Sequence, residues 1–291
     1  MPQQKLIITH HTPDLDAISS VWLLKRFDSQ GFADAKIGYV NPGHSLDPVQ
    51  AEKYGILPHN VVHVDTGRGE FDHHTPEKNS RDICAATLVR DYLIKTHPEL
   101  ENDTALKSIV DHVTEIDHFG EIFWPEPDSD RYSFMLHELI RGSEFMAQNT
   151  DDSQMQFGMQ ALDNVYATLK QSHKASRILD QDGLIFQISA GKCLAISTKN
   201  DDVIKLAQKR GMMMVIRKDP TLGHIRIKVR PDCQVILEKL HEAILLEDRV
   251  GTWYYHPGGK MLINGSRKHL NQQPSPLTLE KVVSMIKEIY A

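Results

Sequence analysis

The sequence predicts an α/β protein, with a mostly parallel-sheet domain followed by a smaller α/β domain. Three observations carry that prediction. Short apolar runs alternate with helical patterns through the amino-terminal part, the order of elements that yields a largely parallel sheet. The chain has 291 residues, at the upper limit of roughly 250–300 residues where single cores stop growing. Charge also changes sign along it: residues 1–170 hold 14 basic and 27 acidic side chains (−13) and residues 171–291 hold 19 and 12 (+7), giving −6 overall.

Lys5 to Ile8 reads as a short strand leading into Thr9-His10-His11-Thr12-Pro13-Asp14-Leu15-Asp16. Ile18, Val21, Trp22, Leu24 and Phe27 then recur at three- and four-residue spacing, which predicts a helix with Gly31 as its stop. Ala35 to Val40 predicts a second strand, Asp47 or Pro48 to Tyr54 a helix, and Val61 to Asp65 a third strand ending on a carboxylate. Helical patterns follow at 84–95, 104–116, 132–146 and 153–170. The polar stretch 171–183 coincides with the change of charge sign and marks the domain boundary. Beyond it, strands are expected at 184–188, 193–197, 212–217 and 225–230, and helices at 201–209, 233–246 and 277–290. The expected organisation is therefore a catalytic domain over 1–150, a helical connector over 151–182 and a basic domain over 183–291.

Composition excludes several classes. With 40% hydrophobic and 25% charged residues the chain has the balance of a globular protein, and no apolar run approaches the ~20 residues of a membrane helix. The start lacks the apolar core of a secretory signal, so a cytoplasmic location is expected. Three scattered cysteines, Cys84, Cys193 and Cys233, supply neither a disulfide framework nor a paired-cysteine zinc site.

The chemistry concentrates where the first and third strands end. His10, Asp14 and Asp16 share one loop, and two carboxylates at that spacing repel unless a cation lies between them. A helix-capping turn at Asp14 or Asp16 explains the same residues. Asp65 closes the third strand, and Thr66-Gly67-Arg68-Gly69 can turn Asp72-His73-His74 back to the same sheet edge. An exposed histidine pair is the alternative for His73 and His74, but two acid–histidine clusters at two strand ends favour a common site.

His10 to Ser20 resembles the first motif of the DHH phosphoesterase superfamily, and Asp72-His73-His74 is the tripeptide that names it. The likeness covers roughly residues 5–120. It implies two Mn2+ ions, or Mg2+, bridged by a water or hydroxide, with metal ligands His10 and Asp14 for one, Asp16 and His73 for the other, and Asp65 bridging both. A further bridging carboxylate is expected at Asp117, at the close of the 104–116 helix, with Asp111 as the competitor. His74 would act at the phosphate or leaving group, Asp72 would orient a histidine, and His11 would sit near the phosphate or on the surface. The seven-residue step from Asp65 to Asp72 is more compact than in most of the superfamily and closer to the melanocyte-proliferating-gene branch, which is linked to exonuclease activity.

In the basic half, Arg226, Lys228 and Arg230 share a face by two-residue alternation. Gly258-Gly259-Lys260 and Arg267-Lys268 follow as further phosphate-binding candidates, with a solvated strand face as the plain alternative. The resemblance supports Arg230 and Arg267 as groups meeting the reacting phosphate in a cleft between the domains. The functional expectation is a metal-dependent phosphohydrolase or phosphodiesterase acting on a nucleotide or short single-stranded nucleic acid. A pyrophosphatase or exopolyphosphatase is the alternative enzyme, and a non-catalytic metal-dependent nucleotide or nucleic-acid binder is the alternative outside enzymes. Oligomeric state stays open, a homodimer included.

Overall fold

The computed structural model describes residues 4–78, 80–265 and 271–291. The chain divides into two compact units, Met1–Leu169 and Lys170–Ala291. The first contains β1 (Leu6–His10), α1 (Leu15–Phe27), α2 (Ser29–Phe32), β2 (Lys36–Val40), α3 (Pro48–Lys53), β3 (Val61–His63), α4 (Ala85–Thr96), α5 (Thr104–Asp117) and α6 (Leu136–Ser143). It also contains most of α7 (Asp151–Gln181). The second contains β4 (Leu184–Ile188), β5 (Gly191–Ser197), α8 (Asp202–Lys209), β6 (Met214–Lys218), β7 (Ile225–Val229), α9 (Glu238–Glu247), β8 (Trp253–Tyr255), β9 (Met261–Asn264) and α10 (Leu279–Tyr290). The α/β expectation holds.

In the first unit the strands run parallel in the order β2-β1-β3. β1 is central, so the loops leaving β1 and β3 open at the same carboxyl edge, where ligands of open α/β sheets bind. Asp14 caps α1 by accepting from the Ala17 amide at 3.0 Å. From Leu15 to Leu24 every residue of α1 is buried, because α4, α5 and α6 all pack on it. Ile18, Val21, Trp22 and Leu24 join Val89, Leu93, Leu106 and Ile109 in one core, each buried aliphatic side chain contributing on the order of 1.5–3 kcal/mol.

Four local expectations differ from the structure. The first helix ends at Phe27, and Gly31 lies inside α2, whose amide at Gly31 is capped by Asp28. The 132–146 pattern splits into a 3-10 turn at Asp130–Phe134 and the shorter α6, leaving Phe134 and Met135 exposed. The polar stretch after 170 is helical to Gln181, because Ala175, Ile178 and Leu179 form a narrow apolar stripe packed with Val203, Ile204 and Ala207. The helix expected from Cys233 starts only at Glu238.

The second unit holds a six-stranded mixed sheet, β4-β5-β6-β7-β9-β8. Its last two strands, missed in the sequence, are short; Trp253-Tyr254-Tyr255 is aromatic and pairs antiparallel with β9.

Helix α7 approaches α1 closely at Gly158, where an added Cβ would lie 2.7 Å from Ile18 Cγ2 and 2.8 Å from its Cδ1. Helix propensity alone favours any side chain over glycine by up to ~1 kcal/mol, but overpacking costs about 1–3 kcal/mol. Gly158→Val should therefore lower stability by about 2 kcal/mol in a denaturant titration; a neutral or stabilising change would mean that the two helices separate easily.

Candidate metal centre

Each functional side chain arrives from the end of a regular element. His10 ends β1, Asp14 and Asp16 flank the start of α1, Asp65 and the Asp72-His73-His74 run follow β3, and Asp117 ends α5. Asp65 adopts a left-handed backbone (φ 54°), and its amide donates to the Phe71 carbonyl at 2.8 Å. Val64 and Phe71 form a parallel bridge, so the intervening turn folds back on the sheet edge. Gly67 serves that turn with φ 79°, and a Cβ there would meet the His63 ring at 2.8 Å.

Three groups of candidate ligand atoms result, each with all its atoms within 4.8 Å of one another: His10, Asp14 and Asp65; Asp65, His73 and His74; and His73, Asp117 and His118. Asp65 joins the first two and His73 the last two. His10 Nε2 lies 3.3 Å from Asp65 Oδ2 and 3.9 Å from Asp14 Oδ1. His73 Nε2 lies 3.5 Å from Asp65 Oδ1, 3.6 Å from Asp117 Oδ2 and 3.8 Å from Asp16 Oδ2. The Nδ1 of His10 is 2.9 Å from the His11 carbonyl. When Nδ1 donates there, the Nε2 lone pair is left facing the carboxylates, as in a metal-bound imidazole.

The electrostatics are those of carboxylates crowded around two imidazoles. Burial, with Asp65 and Asp117 beside it, raises Asp16 well above the usual carboxylate range. Crowding by the surrounding site and the Asp65 carboxylate also raise Asp14, although its side chain is 60% exposed, and burial lifts Asp117 to about 6. For Asp65 burial again acts upward, but the hydrogen bond with His10 and the nearby His73 ring hold it below the ordinary value. Burial would lower His10, yet Asp65 and Asp14 bring it to about 9. Asp65 Oδ1, His73 Nε2 and Asp117 Oδ2 are buried without a hydrogen-bond partner. Buried polar atoms in that state call for an ion or water, and the donor set of hard carboxylates with imidazoles fits a divalent cation.

Asp16 falls outside the three groups. Both its oxygens accept amides from the first turn of α4, Ala85 at 2.7 Å and Ala86 at 2.8 Å, so this carboxylate fastens α4 to the site. Asp111 is not brought in; it pairs with Lys107 at 2.6 Å on the exposed side of α5. His118 was missed in the sequence, although it completes the same acid–histidine doublet that marked the other clusters. Asp72, fully buried, accepts from the Arg68 amide at 2.6 Å and from the His74 amide at 3.0 Å, and its Oδ1 lies 2.9 Å from His74 Nδ1. His74 is 61% exposed and directs its other nitrogen away from Asp72.

Supporting contacts were also invisible in the sequence. Asp151 of α7 accepts from the Thr12 amide at 2.7 Å and lies 2.6 Å from His11 Nδ1, which ties His11 to a carboxylate. Buried Gln154 donates to the Pro13 carbonyl at 3.0 Å. Lys78 donates to the carbonyls of Gly69, Glu70 and Asp72.

The basic candidates lie in the second unit. Arg226 pairs with Asp201 at 2.6 Å, and Arg230 grips Asp232 through two bonds of 2.6 and 2.7 Å. Lys260 corrects the phosphate-binding expectation, because its ammonium is held by the carbonyls of Cys233 and Val235. Lys228 lies on β7 between the two arginines. Gly258 donates its amide to His256 Nδ1 at 3.0 Å, and Gly259 follows with φ 70°. Arg267 and Lys268 lie outside the described residues.

No protein-family model matches the chain, and no curated protein does. Among solved structures, 98% of this chain is similar to a DHH domain described as a member of the s1p family of ribosomal proteins, at 12% identity, 86% of that chain and a TM-score of 0.33. RecJ from Thermus thermophilus in complex with Mn2+ is similar at 11% identity with a TM-score of 0.31. Here 98% of this chain spans 52%, about half, of the Thermus protein. An exonuclease RecJ bound to manganese is similar at 11% identity over 98% of this chain and 90% of its own, with a TM-score of 0.29.

Cation binding must displace protons from His10, at about 9, and compete with protonation of Asp117, at about 6. The rise in melting temperature produced by Mn2+ should therefore grow as pH is raised from about 5.5 to 8, and binding near neutrality should release protons. Calorimetry in buffers of different ionisation enthalpy measures that release. A stabilisation independent of pH, or no response to Mn2+ and chelator, would contradict the assignment.

Proposed function

We propose that this chain is a divalent-metal-dependent phosphoesterase acting on nucleotides or short single-stranded nucleic acid. The observation that carries the reading is the set of three buried, unpartnered ligand atoms on Asp65, His73 and Asp117, at the strand edge where the sequence resembles the DHH motifs. His10, Asp14, Asp65, His73 and Asp117 would hold two ions, with Asp65 between them, and Asp16, in the first turn of α1, would support the second. Mn2+ or Mg2+ suits this set better than Zn2+. Carboxylates dominate it, and the neighbouring Cys84 is kept protonated by burial and by Asp16. Bound cations would lower the pKa of a coordinated water and neutralise the phosphoryl oxygens.

The chain's own residues do the rest. Asp72 accepts from His74 Nδ1, and this orients the ring so that an imidazolium Nε2–H can donate to a phosphoryl or leaving-group oxygen. Asp72 stays ionised in that role: burial would raise it, but the His74 and Arg68 amides and the His74 ring hold it low. Gln154 and Asp151 fix the loop that carries His10 and Asp14. The loop therefore does not collapse on the crowded carboxylates. Arg230, beside the Gly258-Gly259 turn, is proposed to bind substrate phosphate in the second unit by exchanging Asp232 for the ligand.

Asp65→Asn should abolish turnover and weaken Mn2+ binding together, because one carboxylate serves two ligand groups. His74→Ala should keep the metal and lose roughly 10²–10⁴ in rate. Arg230→Ala should act mainly on the Michaelis constant if the group only binds. The measurements are Mn2+ titration and hydrolysis of 3′,5′-diphosphoadenosine, a dinucleotide, single-stranded DNA and pyrophosphate. Preference for pyrophosphate would replace the nucleotide reading, and no hydrolysis of any of them with Mn2+ would refute the enzyme.

A further inference from the structure

The second unit contains a cavity of about 270 Å³ at the sheet edge formed by the carboxyl ends of β5, β6 and β9 and the start of β7. Lys199, Asp201, Arg217, Asp219, His224 and Arg226 line it. Arg230 and the Gly258-Gly259 turn belong to the opposite edge, at the far end of β7, where the Val229 amide donates to the Lys260 carbonyl. Four residues at ~3.3 Å each put Arg226 roughly 13 Å from Arg230 along the strand. Shared alternation on β7 therefore does not place these two arginines on one ligand.

Arg217 and Arg226 are direct cross-strand partners in the β6–β7 register, a placement in which like charges repel. One carboxylate, Asp201, answers both: it is 2.6 Å from Arg217 Nη2 and 2.6 Å from Arg226 Nη1. Arg217 is only 3% exposed. Its Nη1 donates to the Thr198 carbonyl at 3.0 Å and lies 3.4 Å from Asp219 Oδ2. Asp219 is partly committed elsewhere, accepting amides from Thr221 and Leu222 through Oδ1. The Nε atoms of both arginines are buried with no partner. Two anchored guanidiniums and the exposed Lys199 thus face two carboxylates, and two guanidinium N–H groups lack a hydrogen-bond partner. Planar guanidinium forks beside a lysine point charge suit the tetrahedral oxygens of a phosphate, and the cavity equals the volume of several waters at about 30 Å³ each.

We propose that this edge is a binding site for a phosphoryl group, either inorganic phosphate or the terminal phosphate of a nucleotide, separate from the Arg230 turn. Lys199 and Arg226 close on the ligand, while buried Arg217 supplies the fixed charge behind them.

The test uses the full chain with chelator present, so that no cation at the other site captures phosphate. Labelled protein is titrated with inorganic phosphate and with adenosine 5′-monophosphate and followed by amide chemical shifts. The expected result is saturable shifts at Lys199, Thr221 and Leu222, whether or not Gly258 and Gly259 respond to the same ligand. Lys199→Glu, a change at an exposed position, and Arg226→Gln should each weaken the binding read at Thr221 and Leu222 about tenfold or more. Equal affinity for the two ligands identifies the phosphoryl group alone as the determinant, and tighter binding of the monophosphate identifies a nucleotide; both support the site. Absence of saturable shifts at Lys199, Thr221 and Leu222, or binding there indifferent to Lys199→Glu, would overturn it.

Discussion

Four carboxylates, Asp14, Asp16, Asp65 and Asp117, stand around two buried or half-buried imidazoles at one sheet edge, and much of the first unit is arranged to keep them there. Such groups repel one another and lose hydration on burial, which is why Asp14, Asp16 and Asp117 are all raised. The cost is met by backbone amides, by two histidines and by ligand positions that a divalent cation can fill. Of the five non-glycine residues with left-handed backbone among the described residues, Thr12, Asp65, Arg68 and Phe119 lie in the loops that carry or adjoin this cluster. Local strain of that kind, on the order of 1–3 kcal/mol each, persists where surrounding structure holds it.

What holds it is a set of side chains with no ligand role of their own. Lys78 gathers the carbonyls of the turn after β3, Asp72 gathers its amides, and Asp151 and Gln154 reach from α7 to the loop after β1. Asp16 binds both the site and the first turn of α4, where a carboxylate also complements the helix dipole. The acid–histidine cluster and the helical core are thus joined through one buried side chain.

The second unit treats its charge differently. Several of its basic residues are engaged internally, Arg217 and Arg226 by Asp201, Arg230 by Asp232 and Lys260 by backbone carbonyls. Net charge alone therefore overstates the cations available to a ligand. What distinguishes the Arg217–Arg226 edge is that its cations outnumber their carboxylates and leave two N–H groups unsatisfied.

The sequence by itself determined the α/β class, the two strand ends where acids and histidines gather and the residue types found there. Strand alternation and acid–histidine doublets are local patterns, and the His10–Asp16 and Asp65–His74 segments each contain their own information. It also favoured Asp117 over Asp111 from position on a helix, and the structure groups Asp117 with His73 and His118 while Asp111 pairs with Lys107. Tertiary structure alone decided the role of Asp16 toward α4, the service of Asp151, Gln154 and Lys78, the continuation of α7 to Gln181 and the separation of Arg226 from Arg230. Those outcomes depend on partners distant in the chain, 69 residues away for Asp16 and Ala85 and 141 for Gln154 and Pro13. Hydrogen bonds across such separations are set by how helices pack and strands register, and periodicity within a short segment carries no record of them.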